Sequence, residues 1–284
     1  MESLEIPMKA IELKKILMEI KSEGRTWEEE SIVCIVKSMV EHIGSTDSEL
    51  RDQLIYSSFY QLIIEKNKIE HELLNELLEL CLSDLLFKGI GENETDTVFT
   101  RSFTTLLIAL ILYRDNEDNF LSQEMVFKIK DILLDYINLE KDLRGYVSGK
   151  GWAHSVAHVT DAIDELVKSP KIDKKFHLKI LKVLWSKVFV STSVYIHDED
   201  ERILIPILEM VNNGLEQVEI ETLIQNVPLE LKIQKEQLEE EEYWFLYSNC
   251  KTFLKSFYIK VNKNCELVPL KKSIEKCLIE ISLY

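Results

Sequence analysis

Turn-forming residues are the first shortage: 284 residues hold only eight glycines and five prolines. They fall mostly between stretches of helical periodicity, and extended β signals are weak, with residues 188–196 the one β-prone run. The chain is therefore expected to be all-α. Cations are short as well: 34 lysines and arginines stand against 50 acids, a net charge of −16. That balance argues against nucleic acid, which needs clustered cations on phosphate, and against an anionic membrane surface. Cationic partners and metal ions stay open. Cysteine is sparse and unpatterned. Cys34, Cys81, Cys250, Cys265 and Cys277 are odd in number and lack CxxC spacing. They point to reduced thiols in a cytosol, not to a disulfide framework or zinc knuckle. No apolar run reaches the ~18 residues of a membrane span, residues 106–113 being the richest. Met1 is followed by Glu2 and Glu5, not by a basic n-region. A cytoplasmic protein without nucleic-acid or membrane partners is expected.

What is present is helix. Segments are predicted at residues 8–22, 26–42, 46–66, 70–87, 97–114, 122–138, 152–168, 174–190 and 198–212. A shorter one follows at 218–225, a long one at 234–260 and a last at 271–283. Thr26-Trp-Glu-Glu29 and Thr46-Asp-Ser-Glu49 are capping-box signatures that open the second and third. Helix starts pair up at roughly 40–50 residues, the period of HEAT and armadillo hairpins. A helical-hairpin repeat solenoid of that kind is expected, with a closed α/α toroid as the alternative. Such stacks leave a concave surface, the usual binding side.

Residues 1–213 are expected to form the repeat domain and 214–284 a C-terminal helical extension or cap packed on it. In that extension four consecutive acids, Glu239 to Glu242, precede seven aromatics between Tyr243 and Tyr258. A capping helix with a solvated acidic start accounts for them; a partner-docking or dimer surface is the competing reading.

Chemistry concentrates in residues 144–161, which hold three of the eight glycines and two of the six histidines. A helix starting near Trp152 puts Trp152, Val156, Val159, Ile163, Leu166 and Val167 on a core face. His154, His158, Asp161 and Glu165 then form an opposite stripe at i, i+4, i+7 and i+11, flanked by small residues. Two histidines at i, i+4 can present both imidazoles to one metal, and Asp161 can add an oxygen ligand. A further ligand would come from residues 197–202. Ser155 stands where a zincin carries its glutamate base, so the pattern is not HExxH. A metal-free polar pocket and a structural hydrogen-bond network fit the same residues.

The loop 145–151, with Arg144 and Lys150 beside it, suits a small anion at a helix N-terminus. It is not a P-loop: the spacing is one residue short, and Gly151 replaces the hydroxyl that holds magnesium. Arginine is rare, six among the 34 cations, so each is informative. Arg51, Arg101, Arg144 and Arg202 are expected to make interhelical bridges to acids such as Asp52, Asp142, Asp161 or Glu199, where a planar fork outperforms lysine.

Several of these segments carry a resemblance. Leu50-Arg-Asp52, Arg101-Ser-Phe103 with Asp115, Asp142-Leu-Arg-Gly-Tyr146, Gly151-Trp-Ala-His-Ser-Val-Ala-His158 with Asp161, and Glu199-Asp-Glu-Arg202 are similar to an uncharacterised bacterial family, domain of unknown function 2785. The likeness spans roughly residues 26–213, and Val159-Thr160 departs from the family's small Gly/Ala pair. It implies a bacterial, all-helical, cytoplasmic protein and no particular activity. It also implies that the arginines and the two histidines belong to one site.

The leading expectation is a non-catalytic protein that binds a small polar ligand or a protein partner. Its pocket would be lined by Arg101, Arg144, Tyr146, Lys150, Trp152, His154, His158, Asp161, Glu199 and Arg202. The competitor is a metal-dependent hydrolase in which a divalent transition metal is held by His154, His158 and Asp161 with an acid from 198–201. That metal would acidify a bound water. A purely structural polar cluster is the third.

Overall fold

The computed structural model describes residues 7–262 and 264–282. It is all-helical apart from one two-stranded hairpin, with twelve α-helices among the described residues. Contacts divide the chain into two compact units, Met1–Ser169 and Pro170–Tyr284. The division falls on Ser169-Pro170, where proline ends the preceding helix. The boundary expected near 213 lies inside the second unit.

The first unit contains α1 (Ala10–Lys21), α2 (Ile32–Glu41), α3 (Ser57–Tyr60), α4 (His71–Leu80), α5 (Thr97–Asp118), α6 (Gln123–Leu139) and α7 (Ser155–Lys168). α3 is flanked by π-helical turns at Glu49–Tyr56 and Gln61–Glu65, and α4 continues into another at Cys81–Leu85. α5 is the axis, packed by α3, α4 and α7. By length and composition it is long and apolar enough to cross a membrane, as the run at 106–113 alone is not. However, 83% of its apolar window is buried inside the protein, as for a core helix. A helix apolar on every side belongs in a core. Its buried hydroxyls are satisfied locally: Thr104 donates to the Thr100 carbonyl at 2.7 Å and Thr105 to that of Ser102 at 2.6 Å. At the end of α2, Gly44 lies so close that a Cβ would sit 1.9 Å from the Thr100 hydroxyl.

The Thr26 capping box is present, but it closes a single 3₁₀ turn, Trp27–Glu29. α2 starts afresh at Ser31, whose side chain accepts from the Cys34 N–H. Likewise Asp47, not Thr46, caps the next segment by accepting from the Leu50 N–H at 3.2 Å.

The second unit contains α8 (His177–Ser186), α9 (Glu199–Asn212), α10 (Gln217–Gln237), α11 (Glu240–Val261) and α12 (Val268–Ile281). α10, α11 and α12 pack on one another, and α9 packs on α8 and α11. Two expectations change here. Pro228 is accommodated inside α10, and the break falls at Leu238, so the segments expected at 218–225 and 234–260 are divided differently. The β-prone run 188–196 forms no strand. Buried Asn249 takes over its backbone, donating to the Val190 and Ser193 carbonyls and accepting from the Tyr195 N–H. Tyr243, Phe253 and Phe257 turn into the core while Trp244 faces outward. Leu283, the expected helix end, lies outside the described residues, as do Met1, Glu2 and Glu5.

His177, at the start of α8, is 1% exposed, and its Nδ1 finds no hydrogen-bond partner among the described residues. Burial first, then the charge of Lys174, pushes its pKa down, partly opposed by Asp173. The unfolded chain therefore takes up this proton first, so stability falls as pH drops through the ordinary histidine value of about 6.5. His177→Leu is expected to reduce the slope of urea stability against pH in that range. Equal slopes in the two proteins would remove His177 as the cause.

Candidate functional site

Three glycines build a hairpin where a helix start was expected. Gly149 and Gly151 take positive φ, +74° and +81°, which side chains other than glycine rarely adopt. β1 (Tyr146–Val147) and β2 (Gly151–Trp152) pair antiparallel, Tyr146 facing Trp152 and Val147 facing Gly151. The pairing continues inward: the Ala153 N–H donates to the Gly145 carbonyl at 2.8 Å, and that of His154 to Arg144 at 3.0 Å. α7 therefore starts at Ser155, and Trp152 is a strand residue, 38% exposed, not part of a helical core face. His154 precedes the helix in a left-handed conformation, φ 46° and ψ 41°. That backbone costs a non-glycine residue of order 1 kcal/mol or more, and the hairpin pairing holds it.

Three cations, one of them fully buried, fix the hairpin. Arg51 is fully buried between the rings of Phe99 and Phe103, 4.2 and 4.8 Å from their centroids. Its guanidinium donates to the carbonyls of Ser45, Lys150 (2.7 Å) and Trp152 (3.3 Å), and Nε lies 2.8 Å from Asp52. A Cβ at Gly151 would come within 2.6 Å of Ser48 and 3.0 Å of Arg51. Arg144 grips Asp142 with two nitrogens, at 2.8 and 2.6 Å, and reaches the Thr95 carbonyl. Those bonds raise its pKa further above the usual arginine value. Lys150 holds both oxygens of Asp96. The Ser155 hydroxyl donates to the Asp142 carbonyl, tying the start of α7 to the same loop.

Arg101 acts deeper. Fully buried, it pairs bidentately with Glu140 at 2.7 and 3.0 Å and donates to the Lys88 and Gly89 carbonyls and the Thr97 hydroxyl. Glu140 also accepts from the Tyr136 hydroxyl and the N–H groups of Lys141 and Asp142. Burial first, then the Glu140 charge, holds the Tyr136 phenol far above its usual pKa, so it stays a donor. Arg101 thus supports the loop that carries Asp142 and Arg144. The pairs Arg51–Asp52 and Arg144–Asp142 are local in sequence; among the expected bridges to these acids, neither joins separate helices.

The histidines lie in a line of rings. Tyr146 meets Trp152 edge-on at 5.0 Å, and Trp152 stacks on His154 at 4.4 Å. His154 meets His158 at 5.6 Å, and His158 meets Phe103 at 5.1 Å. His158 is only 7% exposed, so the stripe expected to be open is closed at its second histidine. Asp161 follows one turn later, half-buried, and the Glu165 carbonyl accepts from Asn116. Glu199 and Arg202 lie in the first turn of α9, in the second unit, with Glu199 2% exposed and Arg202 half-buried.

Residues 86–259 match the model of a family described as "Protein of unknown function (DUF2785)". The chain belongs to this family. No curated protein and no solved structure matches it. The family span holds α5, the hairpin and α7 to α10, and reaches into α11, beyond the limit near 213 expected from the quoted segments. Arg51 lies outside the matched region of this DUF2785 chain, yet it clamps the hairpin within it. Arg51 was expected only to bridge an acid. The available signal was Leu50-Arg-Asp52 beside an unusual scarcity of arginine.

Proposed function

We propose that the protein is a non-catalytic binding module whose contact element is the clamped hairpin. The observation that carries this reading is the Tyr146–Trp152 pair. The two rings face each other across the strands yet stay 53% and 38% exposed. Large aromatics on a fixed backbone lose little entropy when a partner covers them, and such residues dominate binding hot spots. Arg51 and Arg144 fix both strands behind them, so the display is pre-organised. The occupant is a protein partner or a small polar ligand resting on Tyr146, Trp152 and His154, with His158 and Asp161 behind. A HEAT- or armadillo-like stacking of helices is our reading of the scaffold, supported by the mutual packing of α10, α11 and α12. A cytoplasmic setting is supported by the five unpaired cysteines.

A photo-crosslinking benzophenone amino acid placed at Tyr146 in host cells tests this, read by intact mass so that small ligands register. A discrete adduct is expected, lost when Trp152→Ala is added. The control position is Tyr60 on α3, 43% exposed. No adduct at Tyr146, or the same adducts from Tyr60, would sink the reading.

A further inference from the structure

A second polar cluster lies where the loop 187–198 enters α9. Asn249 holds that loop by three backbone hydrogen bonds and so places Tyr195, His197 and Glu199 together at the helix start. The Glu199 carboxylate accepts from the His197 N–H at 2.8 Å, and its other oxygen lies 4.0 Å from His197 Nδ1. Between them Asp198 adopts a left-handed backbone, φ 63° and ψ 19°. The neighbouring acids are engaged elsewhere: Asp200 accepts from the Ser256 hydroxyl and Glu201 pairs with Lys260. Tyr195 is only 7% exposed, and its hydroxyl has no hydrogen-bond partner among the described residues. It is near enough to Glu199 to feel its charge. A buried hydroxyl without an acceptor is costly, and this one lies within range of the charge of a buried carboxylate.

We propose that His197 and Glu199 are protein ligands of a divalent transition-metal site, with the Tyr195 hydroxyl donating to a metal-bound water. One imidazole nitrogen with one carboxylate oxygen suits zinc, cobalt or nickel. With Zn–N and Zn–O near 2.1 Å, ligand atoms on a tetrahedral ion lie roughly 3.4 Å apart. A closure of about half an ångström by the half-exposed His197 ring reaches that spacing. The bound cation would offset the cost of burying Glu199, and its water would supply the acceptor that Tyr195 lacks.

The test is titration of Co²⁺ into untagged, chelator-stripped full-length protein, followed by visible absorption and by Zn²⁺ competition. One saturable equivalent is expected, displaced by Zn²⁺. His197→Ala and Glu199→Gln should each weaken it at least tenfold. Tyr195→Phe should weaken it roughly tenfold, as loss of an outer hydrogen bond does. Without metal, that variant should unfold at a higher temperature than the parent, because a buried hydroxyl with no acceptor is gone. His197, partly exposed, can be replaced without opening the core, so its variant stays informative if Glu199→Gln fails to fold. No saturable Co²⁺ or Zn²⁺ binding, or binding unchanged in His197→Ala, overturns the proposal.

Discussion

Arg101→Met is expected to lower the unfolding free energy by about 3–5 kcal/mol, because it leaves Glu140 as an uncompensated buried charge. The glutamate side chain is 1% exposed and cannot turn to water without dismantling the loop that follows α6. Two of its five donors are lost with the guanidinium; the Tyr136 hydroxyl and the N–H groups of Lys141 and Asp142 are left to carry the charge. The carbonyls of Lys88 and Gly89 lose their donor at the same time. Replacing both members should cost much less than the single change. A well-packed apolar pair often matches a buried ion pair. Arg101→Met/Glu140→Leu is therefore expected to recover a large part of the loss. Guanidinium unfolding of the two single variants and the double provides the measurement. Additive losses, or a single-variant effect below about 1 kcal/mol, would show that the pair is not the electrostatic core of this loop.

The helices were largely legible because they bury apolar faces at a regular period, and Val156, Val159, Ile163, Leu166 and Val167 of α7 are buried as that period requires. The hairpin was not. Helical periodicity carries through Trp152 to His158 as well, and what stops the helix before Ser155 is the positive φ of Gly151 with strand pairing back to Tyr146. A wheel drawn through that segment puts Trp152 in the core and opens His158, and the structure does the reverse. Arginine scarcity pointed to bridges between helices, whereas Arg51–Asp52 and Arg144–Asp142 are pairs local in sequence. The partner of Arg101 lay 39 residues away, and no local pattern singles out Glu140 among 50 acids. The role of Arg51 was hidden for the same reason, since it works through the carbonyls of Lys150 and Trp152, which every sequence has.

Arg51→Met should therefore act on the hairpin more than on the helices around it. The substitution removes charged donors from the Ser45, Lys150 and Trp152 carbonyls and leaves Asp52, whose side chain is 20% exposed, able to reach water. A hydrogen bond from a charged group contributes about 1.5–3 kcal/mol. With Asp52 relieved by solvent, a total loss of about 3 kcal/mol is expected. Methionine fills much of the space between Phe99 and Phe103, so α5 should keep its packing. Native-state hydrogen exchange separates the two regions. Amides of Ala153 and His154, which close the hairpin, should lose protection well beyond those of α5. Arg51→Lys should rescue little, because one ammonium cannot reach carbonyls on both sides of Gly151 while facing Asp52. Equal loss across the whole unit, or full rescue by lysine, would mean that Arg51 is a general core cation and that the aromatic face of the hairpin is held by its own pairing alone.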